Sequence, residues 1–404
     1  MSSSEWKEVK LKDLVINYSS KRIPVSSRER ESRRGEYPYY GAQGIIDCID
    51  DYIFDGEYLL IAEDGNNLKE RKENVAQIAK GKFWVNNHAH VLASNNNSDI
   101  RFVKYFLNMT DLSGYITGTA QPKLNRANLE SIRMVVPPLE EQKAIANILS
   151  SLDEKIELNN QMNKNLEDMA RALFKRWFVD FEFPNEEGEP YKSSGGEMVD
   201  GELGMVPKGW KVVELEKVCS INPRETIQKG KSIPYVEMAN LPTSYARIKR
   251  YTNREFSGGT KFRNGDVLFA RITPCLENGK TALVDFLEEE EIAFGSTEYI
   301  IIRPKKVGTY YLYCLSRFEQ FRNYGIKCMN GTSGRQRVDA AFVKAYQLPI
   351  PDDDNILIRF EDICKRIFAI MKQNDENSII LEEIRDTLLP KLMSGEIRVK
   401  DLQI

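Results

Sequence analysis

The stretch that decides the fold begins Pro137-Pro138-Leu139-Glu140-Glu141-Gln142 and continues to Phe183 with no further proline and no glycine. The prolines end the preceding strand, and acidic residues in a first turn suit the positive end of a helix dipole. Ten residues then recur at alternating steps of four and three, which is typical of a coiled-coil seam. This stripe comprises Ile145, Leu149, Leu152, Ile156, Asn159, Asn163, Leu166, Ala170, Leu173 and Trp177. A helix of about 60 Å is too long for one small domain, so it requires a partner helix.

The partner is predicted at the other end of the chain, from Asn355 to Met393. Its stripe reads Phe360, Cys364, Ile367, Met371, Asn374, Ser378, Leu381, Arg385 and Leu388, and Ile363, Ile370 and Ile384 are expected to thicken it. Asn159 and Asn374 each lie near the middle of a helix. If the helices pack antiparallel about a pseudo-twofold axis, these asparagines meet, and a hydrogen bond between them sets the register at some cost in stability. The alternative is that both are solvated.

An internal repeat organises the rest of the chain. Trp6–Val15 resembles Trp210–Cys219, 204 residues later, and the loop Gly331–Val338 resembles Gly118–Leu124 with one extra residue. The sequence between these landmarks differs in length and composition. Two domains that share these landmark sequences but differ in the sequence between them suggest two domains that recognise two different targets. The fold class predicted is α+β: two similar mixed α/β domains separated by two long antiparallel coiled-coil helices, with an internal pseudo-twofold repeat.

Five segments follow from this organisation. The one between the domains is rich in glycine, proline and serine, which is typical of a linker with turns. The segments are a first domain at 1–138, a central long helix at 139–184, a linker at 185–209, a second domain at 210–351, and a distal long helix with a C-terminal tail at 352–404.

Composition and motifs argue against several function classes. The net charge is −3, and no run of eighteen apolar residues suggests a membrane span. Six cysteines without Cys-x-x-Cys spacing favour reduced thiols and a cytoplasmic location. His88 and His90 are the only histidines, and no cysteine is near, so we predict local bonds and no metal site. Gly279-Lys280-Thr281 ends like a phosphate loop, but Pro274 stands where that motif needs glycine. We therefore predict no catalysis.

Nucleic-acid binding is better supported, because basic residues cluster locally among tyrosines and asparagines. The stretch from Tyr245 to Arg271 contains seven basic residues and only two acidic ones. Such side chains supply phosphate contacts and base-edge hydrogen bonds. The alternative is a solvated surface of mixed charge. The two loops that begin at Gly118-Thr119 and Gly331-Thr332, which we call the Gly-Thr loops, could equally cap the fold. The candidate DNA-binding residues are Lys21, Arg22, Tyr39, Tyr40, Gln43, Gln121, Lys123 and Asn125 in the first half, and Arg247, Lys249, Arg250, Arg271, Arg335, Gln336 and Arg337 in the second.

Several of these stretches resemble the specificity subunits of type I restriction–modification systems. The departure from the family pattern is Pro351-Asp352-Asp353-Asp354, where the family has proline, leucine and Glu-Gln, so the first turn of the distal helix is in question. The resembling stretches are Pro137–Gln142, Lys192–Met198, Glu202–Trp210 and Leu389–Ile397.

The resemblance implies a division of labour. Each domain reads one half of a split double-stranded DNA target, and the helices set the spacing. Two methyltransferase (modification) subunits dock on the helices, and restriction/translocase subunits join them. S-adenosylmethionine, ATP and Mg belong to those partners, and this chain binds no cofactor. Exposed flanks of the central helix are expected to form the docking surface, namely Arg171, Lys175, Arg176, Phe178 and Phe181. Two alternatives remain: a coiled-coil adaptor without DNA contact, and a self-sufficient DNA-modifying enzyme.

Overall fold

Two helices of forty residues each dominate the molecule. The computed structural model describes residues 6–118, 121–332 and 334–401. The central helix is Leu139–Phe178 and the distal helix is Asn355–Ser394, close to the predicted bounds. Every residue of both predicted stripes is buried or half-buried. The prediction was wrong for the flanking isoleucines: Ile363, Ile370 and Ile384 are 39%, 44% and 42% exposed, because they lie on the outer side of the stripe.

The chain forms two compact units, and each contains a segment of both long helices. The first unit comprises the residues up to Glu157 together with those from Ser378 onward, and the second is Leu158–Asn377. Each unit therefore takes one predicted domain and the adjoining part of each helix.

The two helices run antiparallel within each unit. In the first unit, Asp153 pairs with Arg385 at 2.9 Å, and Glu141 pairs at 2.5 Å with Arg398, which lies just beyond the end of the distal helix. In the second, the Nδ2 of Asn163 donates to the backbone oxygen of Met371 at 3.2 Å, and the rings of Phe178 and Phe360 lie 5.1 Å apart. Residue numbers rise on one helix as they fall on the other, as predicted.

The first unit contains a six-stranded sheet. All neighbouring strands are antiparallel except Arg34–Gly41 and Ala76–Val85, which are parallel. The sheet order is Val15–Asn17, Ala89–Ser94, Phe54–Ala62, Ala76–Val85, Arg34–Gly41 and Gly44–Ile49. A separate pair joins Lys7–Lys10 to Arg133–Val136. Shorter helices are Ser27–Ser32, Asn67–Glu70, Ile100–Met109 and Arg126–Ser131, with 3-10 turns at Leu11–Asp13, Ser19–Lys21, Ser113–Tyr115 and Val399–Asp401.

The second unit contains two four-stranded sheets. The first sheet runs Cys219–Ile221, Tyr299–Pro304, Val267–Ala270 and Thr281–Leu283, and the second runs Thr252–Glu255, Ser232–Val236, Ala293–Gly295 and Thr260–Phe262. Two-stranded pairs join Trp210–Glu214 to Gln347–Pro351, Met329–Asn330 to Arg337–Val338, and Met198–Gly201 to Gly204–Pro207. Its helices are Thr309–Arg317, Glu319–Lys327 and Ala340–Lys344, with 3-10 turns at Leu215–Lys217 and Met238–Asn240.

The internal repeat is visible in the backbone pairing of the two domains. Ala62 pairs with Ala89 in the first domain, and Ala270 pairs with Tyr299 in the second. The shared part, which we call the frame, consists of a four-stranded antiparallel sheet, the helix after it, the Gly-Thr loop and the edge pair formed by the start and end of the domain. The elements outside the frame, which we call the filling, differ: the first domain extends its sheet by a hairpin, whereas the second adds a separate sheet.

The helix in each frame is fixed by its amino terminus. In the first domain the Asp99 side chain accepts from the backbone N–H groups of Arg101 and Phe102, as an N-cap does. In the second domain Glu361 of the distal helix accepts from the backbone N–H of Tyr311 at 2.7 Å. The distal helix itself begins at Asn355, whose N–H bonds the Asp353 side chain at 3.0 Å, so its divergent first turn still has a cap.

The aromatic end of the central helix is a core and is not a docking surface. Phe178 and Phe181 are 3% and 8% exposed and lie 6.1 and 5.4 Å from the ring of Trp210. The prediction that these two rings dock a partner was wrong, because the linker folds back and brings Trp210 onto them. Arg171, Lys175 and Arg176 remain exposed.

Candidate nucleic-acid interface

Both Gly-Thr loops dock in the same way on the end of the same strand of the frame. In the first domain the backbone N–H of Leu124 donates to the carbonyl of Glu63 at 2.8 Å, and in the second the N–H of Val338 donates to the carbonyl of Arg271 at 2.9 Å. Thr119, Ala120 and Ser333 of the predicted loops lie outside the described residues. The frame thus brings a loop and a strand end together twice.

A third segment reaches the same place in each domain. The backbone N–H of Glu63 donates to the carbonyl of His88 at 2.8 Å, and that of Arg271 donates to the carbonyl of Glu298 at 3.0 Å. With the loop residues Lys123 and Arg337, each domain therefore presents three equivalent positions. We call these the strand-end site: Glu63, His88 and Lys123 in the first domain, and Arg271, Glu298 and Arg337 in the second.

Glu63 organises the first strand-end site. Its carboxylate pairs with Arg22 at 2.7 Å and with Lys123 at 3.2 Å. Burial raises the pKa of Glu63, but the hydrogen bond from Arg22 and the neighbouring cations outweigh it and leave the pKa below its usual value. Glu63 is therefore a carboxylate that holds two basic side chains.

The histidines have separate roles. His88 is exposed and its Nδ1 lies 2.8 Å from Asp64, whereas His90 is buried with Nε2 2.7 Å from the carbonyl of Leu124. Burial lowers the pKa of His90. The two side chains bond locally to different groups.

The other first-half candidates divide into exposed and internal side chains. Lys21, Gln43 and Gln121 are exposed. Tyr39 is 1% exposed and donates from its hydroxyl to the carbonyl of Val25 at 3.3 Å. Arg22 also donates to the carbonyl of Ala89 at 2.7 Å. Three candidates therefore support the fold in this structure, namely Tyr39, Arg22 and Asn125, the last of which caps the helix Arg126–Ser131. Tyr40 is half-buried, and burial raises its pKa.

In the second domain, Arg337 is fixed by Glu298. Its Nε and Nη2 lie 2.9 and 2.7 Å from the carboxylate, and its Nη1 donates to the carbonyl of Arg335 at 3.2 Å. Gln336 bonds through its backbone carbonyl to the N–H of Thr273 at 3.0 Å. The structure thus groups Arg271, Arg335, Gln336 and Arg337. Sequence reasoning missed Glu298 and Glu63. The offset of 208 that relates Leu59–Ala62 to Val267–Ala270 aligns Glu63 with Arg271, but Glu298 lies 210 positions after His88 and is matched to it only by the strand pairing.

Arg247, Lys249 and Arg250 lie apart from that cluster, beside the long helices of the second unit. Arg247 is buried and pairs with Asp285 and Asp375, both at 2.5 Å. Lys249 pairs with Asp375 at 3.2 Å, and Arg250 is exposed. An open cleft of about 610 Å³ is lined here by Asn160, Lys164, Asn240, Lys249 and Arg250, among others. Its cationic and amide groups suit an anionic ligand.

The predicted register asparagines contact each other's helices at this level. Asn159 donates through Nδ2 to the backbone carbonyl of Asn374 at 3.3 Å, and Asn374 donates through Nδ2 to Oδ1 of Asn163 at 2.9 Å. Asn163 also bonds Asp375 at 3.1 Å. The helix pair of the second unit is thus tied by several buried polar side chains.

Two repeated mixed domains with polar and charged strand-end sites, combined with paired long helices, define a class of DNA-recognition protein. The chain belongs to the family described as the type I restriction modification DNA specificity domain, which it matches over residues 3–168 and 207–389.

Relatives and a solved structure agree with this family. The chain is 27% identical over 314 residues to the type I restriction enzyme MjaIX specificity subunit of Methanocaldococcus jannaschii, covering 73% of this chain and 66% of that protein. It is 38% identical over 151 residues to a putative specificity subunit of Haemophilus influenzae, covering 37% and 38% of the two chains. The matches thus span less than two thirds of these relatives. The S subunit of a type I system from M. genitalium shares the fold, with a TM-score of 0.59 over 97% of both chains at 16% identity.

Within the described ranges, neither long helix nor any shorter one is apolar enough over sufficient length to cross a bilayer.

Proposed function

We propose that this chain is the sequence-specific DNA-recognition subunit of a type I restriction–modification complex, with each domain reading one half of a bipartite double-stranded target. The observation that carries this is the pair of equivalent strand-end sites. One frame is built twice, and it presents Glu63, His88 and Lys123 in one copy and different polar residues in the other. Base edges are read by such side chains, whereas phosphate contacts only position the protein.

Duplex binding by the full chain tests this proposal against a coiled-coil adaptor. Phosphate contacts release counterions, so affinity should fall steeply between about 50 and 200 mM salt. An adaptor that never touches DNA gives no salt-dependent binding at all. A self-sufficient enzyme would transfer methyl groups from S-adenosylmethionine to DNA as the purified chain alone, and we expect no transfer.

The long helices are proposed to set the spacing between the half-sites. Removing one helical turn from each helix, about 5.4 Å, should change the unspecified spacer of the target and leave both half-sequences intact. Sequencing the DNA bound by this variant measures both properties. Altered half-sequences with an unchanged spacer would contradict the role of the helices.

The helices are also proposed to dock two methyltransferase subunits, through apolar side chains that the fold leaves exposed. Exposed apolar residues that cluster on one element indicate an interaction surface. They are Ile379, Ile380 and Ile384 in the first unit, and Leu158, Met162, Met169, Ile358, Ile363 and Ile370 in the second. S-adenosylmethionine, ATP and Mg would be held by the methyltransferase and restriction/translocase partners, and the assembly would act on DNA in the cytoplasm.

Co-purification of the full chain with its methyltransferase subunit tests the docking surface. Ile380→Glu should reduce the amount of bound partner, because a charge would be buried without a pair. Lys365→Glu is a matched control, since Lys365 is an exposed residue of the same helix that is already charged. Equal retention of the partner by both variants would exclude this surface.

A further inference from the structure

The strand-end sites of the two domains have the same backbone connections but different charge arrangements, although the loop position is basic in both (Lys123 and Arg337). The strand position is acidic in the first domain (Glu63) and basic in the second (Arg271). In both domains, the carbonyl of this residue accepts a hydrogen bond from the loop, and its N–H donates to the residue just before the neighbouring strand, His88 or Glu298. Since the backbone is shared, the side chains alone distinguish the two sites.

Arg337 is held in one orientation at the second site. A guanidinium has five N–H donors in a rigid fork. Glu298 takes the Nε donor and one Nη2 donor, and the carbonyl of Arg335 takes one from Nη1. One donor therefore remains on each terminal nitrogen, on a side chain that is 42% exposed.

The neighbouring strand position holds a second arginine, Arg271. Nε of Arg271 is buried and has no hydrogen-bond partner among the described residues. A buried donor without a partner is costly in free energy. Two guanidinium groups therefore lie on adjacent backbone segments, one fixed by an acid and one with an unused donor.

We propose that Arg337 is a specificity-determining residue that reads a guanine in the second half of the DNA target, and that Glu298 is the residue that positions it. Two parallel N–H donors match the O6 and N7 acceptors that guanine presents in the major groove. Lys123, at the equivalent position of the first domain, carries a compact ammonium that pairs with Glu63 and lacks the rigid planar fork of a guanidinium. The first half-site is therefore read differently. This proposal rests on the proposed function.

The test is selection of bound duplexes from a random-sequence pool by the full chain, followed by sequencing. The wild-type chain should select a split motif with a G·C pair in its second block. Arg337→Lys keeps the charge but removes the fork, so that one position should lose preference by about 5- to 150-fold. Glu298→Gln should weaken the same position to a smaller extent, because the arginine is then less firmly oriented.

Lys123→Ala is the control in the other domain, and it should leave the G·C preference of the second block intact. An unchanged second block in Arg337→Lys, or a second block without any G·C pair, overturns the assignment of Arg337 while the recognition function stands. Failure of the wild-type chain to select any motif overturns the proposed function and this assignment together. Both test residues are partly exposed, and Glu298→Gln preserves side-chain shape, so the variants are expected to fold.

Discussion

The two recognition domains share backbone hydrogen bonds and differ in almost everything attached to them. The N–H of Tyr18 donates to the carbonyl of Val91 at 2.8 Å, and the N–H of Asn222 donates to that of Ile301 at the same distance. Beyond the frame, one domain adds a hairpin and the other a sheet. Backbone pairing depends little on side-chain identity, so a frame built from it tolerates divergent fillings. The two domains therefore share a backbone frame and differ in the side chains and strands that it carries.

The helix segments of the two units show a second contrast. In the second unit Asp375, whose side chain is 6% exposed, bonds Arg247 at 2.5 Å and Tyr245 at 2.7 Å. In the first, Asp153 is 30% exposed and bonds Arg385 at 2.9 Å and Tyr105 at 2.6 Å. Both carboxylates connect a recognition domain to the helices, but only Asp375 does so away from solvent.

The largest expected effect follows from this contrast. Asp375→Ala leaves the buried Arg247 without one of its two carboxylates and should lower the free energy of unfolding by about 3–5 kcal/mol. Asp153→Ala is the matched variant and should cost about 1–2 kcal/mol, since water can reach its partners. Urea denaturation measures both. Equal losses of unfolding free energy in the two variants would show that burial does not distinguish the two carboxylate contacts.

A pH comparison sharpens the same contrast. Burial raises the pKa of Glu167, and the Tyr313 hydroxyl at 2.5 Å does not offset it. A carboxyl whose folded pKa exceeds its unfolded value of about 4.3 binds its proton more tightly when folded. The wild-type chain should therefore gain stability relative to Glu167→Gln as the pH falls from about 7 toward 4.3.

The pKa of Asp153 is shifted in the opposite direction to that of Glu167. Burial raises its pKa, but the Tyr105 hydrogen bond and the Lys104 and Arg385 charges outweigh this and lower it. Its contribution is therefore fully present above the unfolded value of about 3.9 and is lost only as the pH falls below that toward the folded pKa. The stability difference between the wild-type chain and Asp153→Asn should stay flat from about pH 7 to 5, as measured by urea midpoints. Parallel pH profiles for the two variants would contradict the assignment.

The smallest effects are expected at exposed cations, one in each domain. Lys21→Ala and Arg250→Ala should change stability by less than about 0.5 kcal/mol. Each should lower the slope of log affinity against log salt by about 0.9 if the side chain contacts a phosphate. Lys211→Ala, in the edge pair of the second frame, is the control and should leave the slope unchanged. A slope that responds to Lys211 but not to Arg250 would place the DNA elsewhere.

Periodic and repeated features were predictable from the sequence, because they reflect local geometry. The stripes identified both long helices, and the repeat identified the shared frame. Side-chain pairing was not predictable. The sequence shows Arg247 as one of seven nearby cations, but not that Asp375, 128 positions later in the chain, packs against it. Tyr39 and Phe178 were likewise assigned to surfaces, since residue type alone does not show which aromatic ring the fold encloses.

The central claim is that each of the two domains recognises one half of a split DNA target. Its most direct test is a map of methylated adenines in cells that co-express this chain with its methyltransferase subunit. We expect one split motif, with two specified blocks and a fixed unspecified spacer, methylated only when this chain is present. A continuous motif, or methylation that persists without this chain, would contradict it.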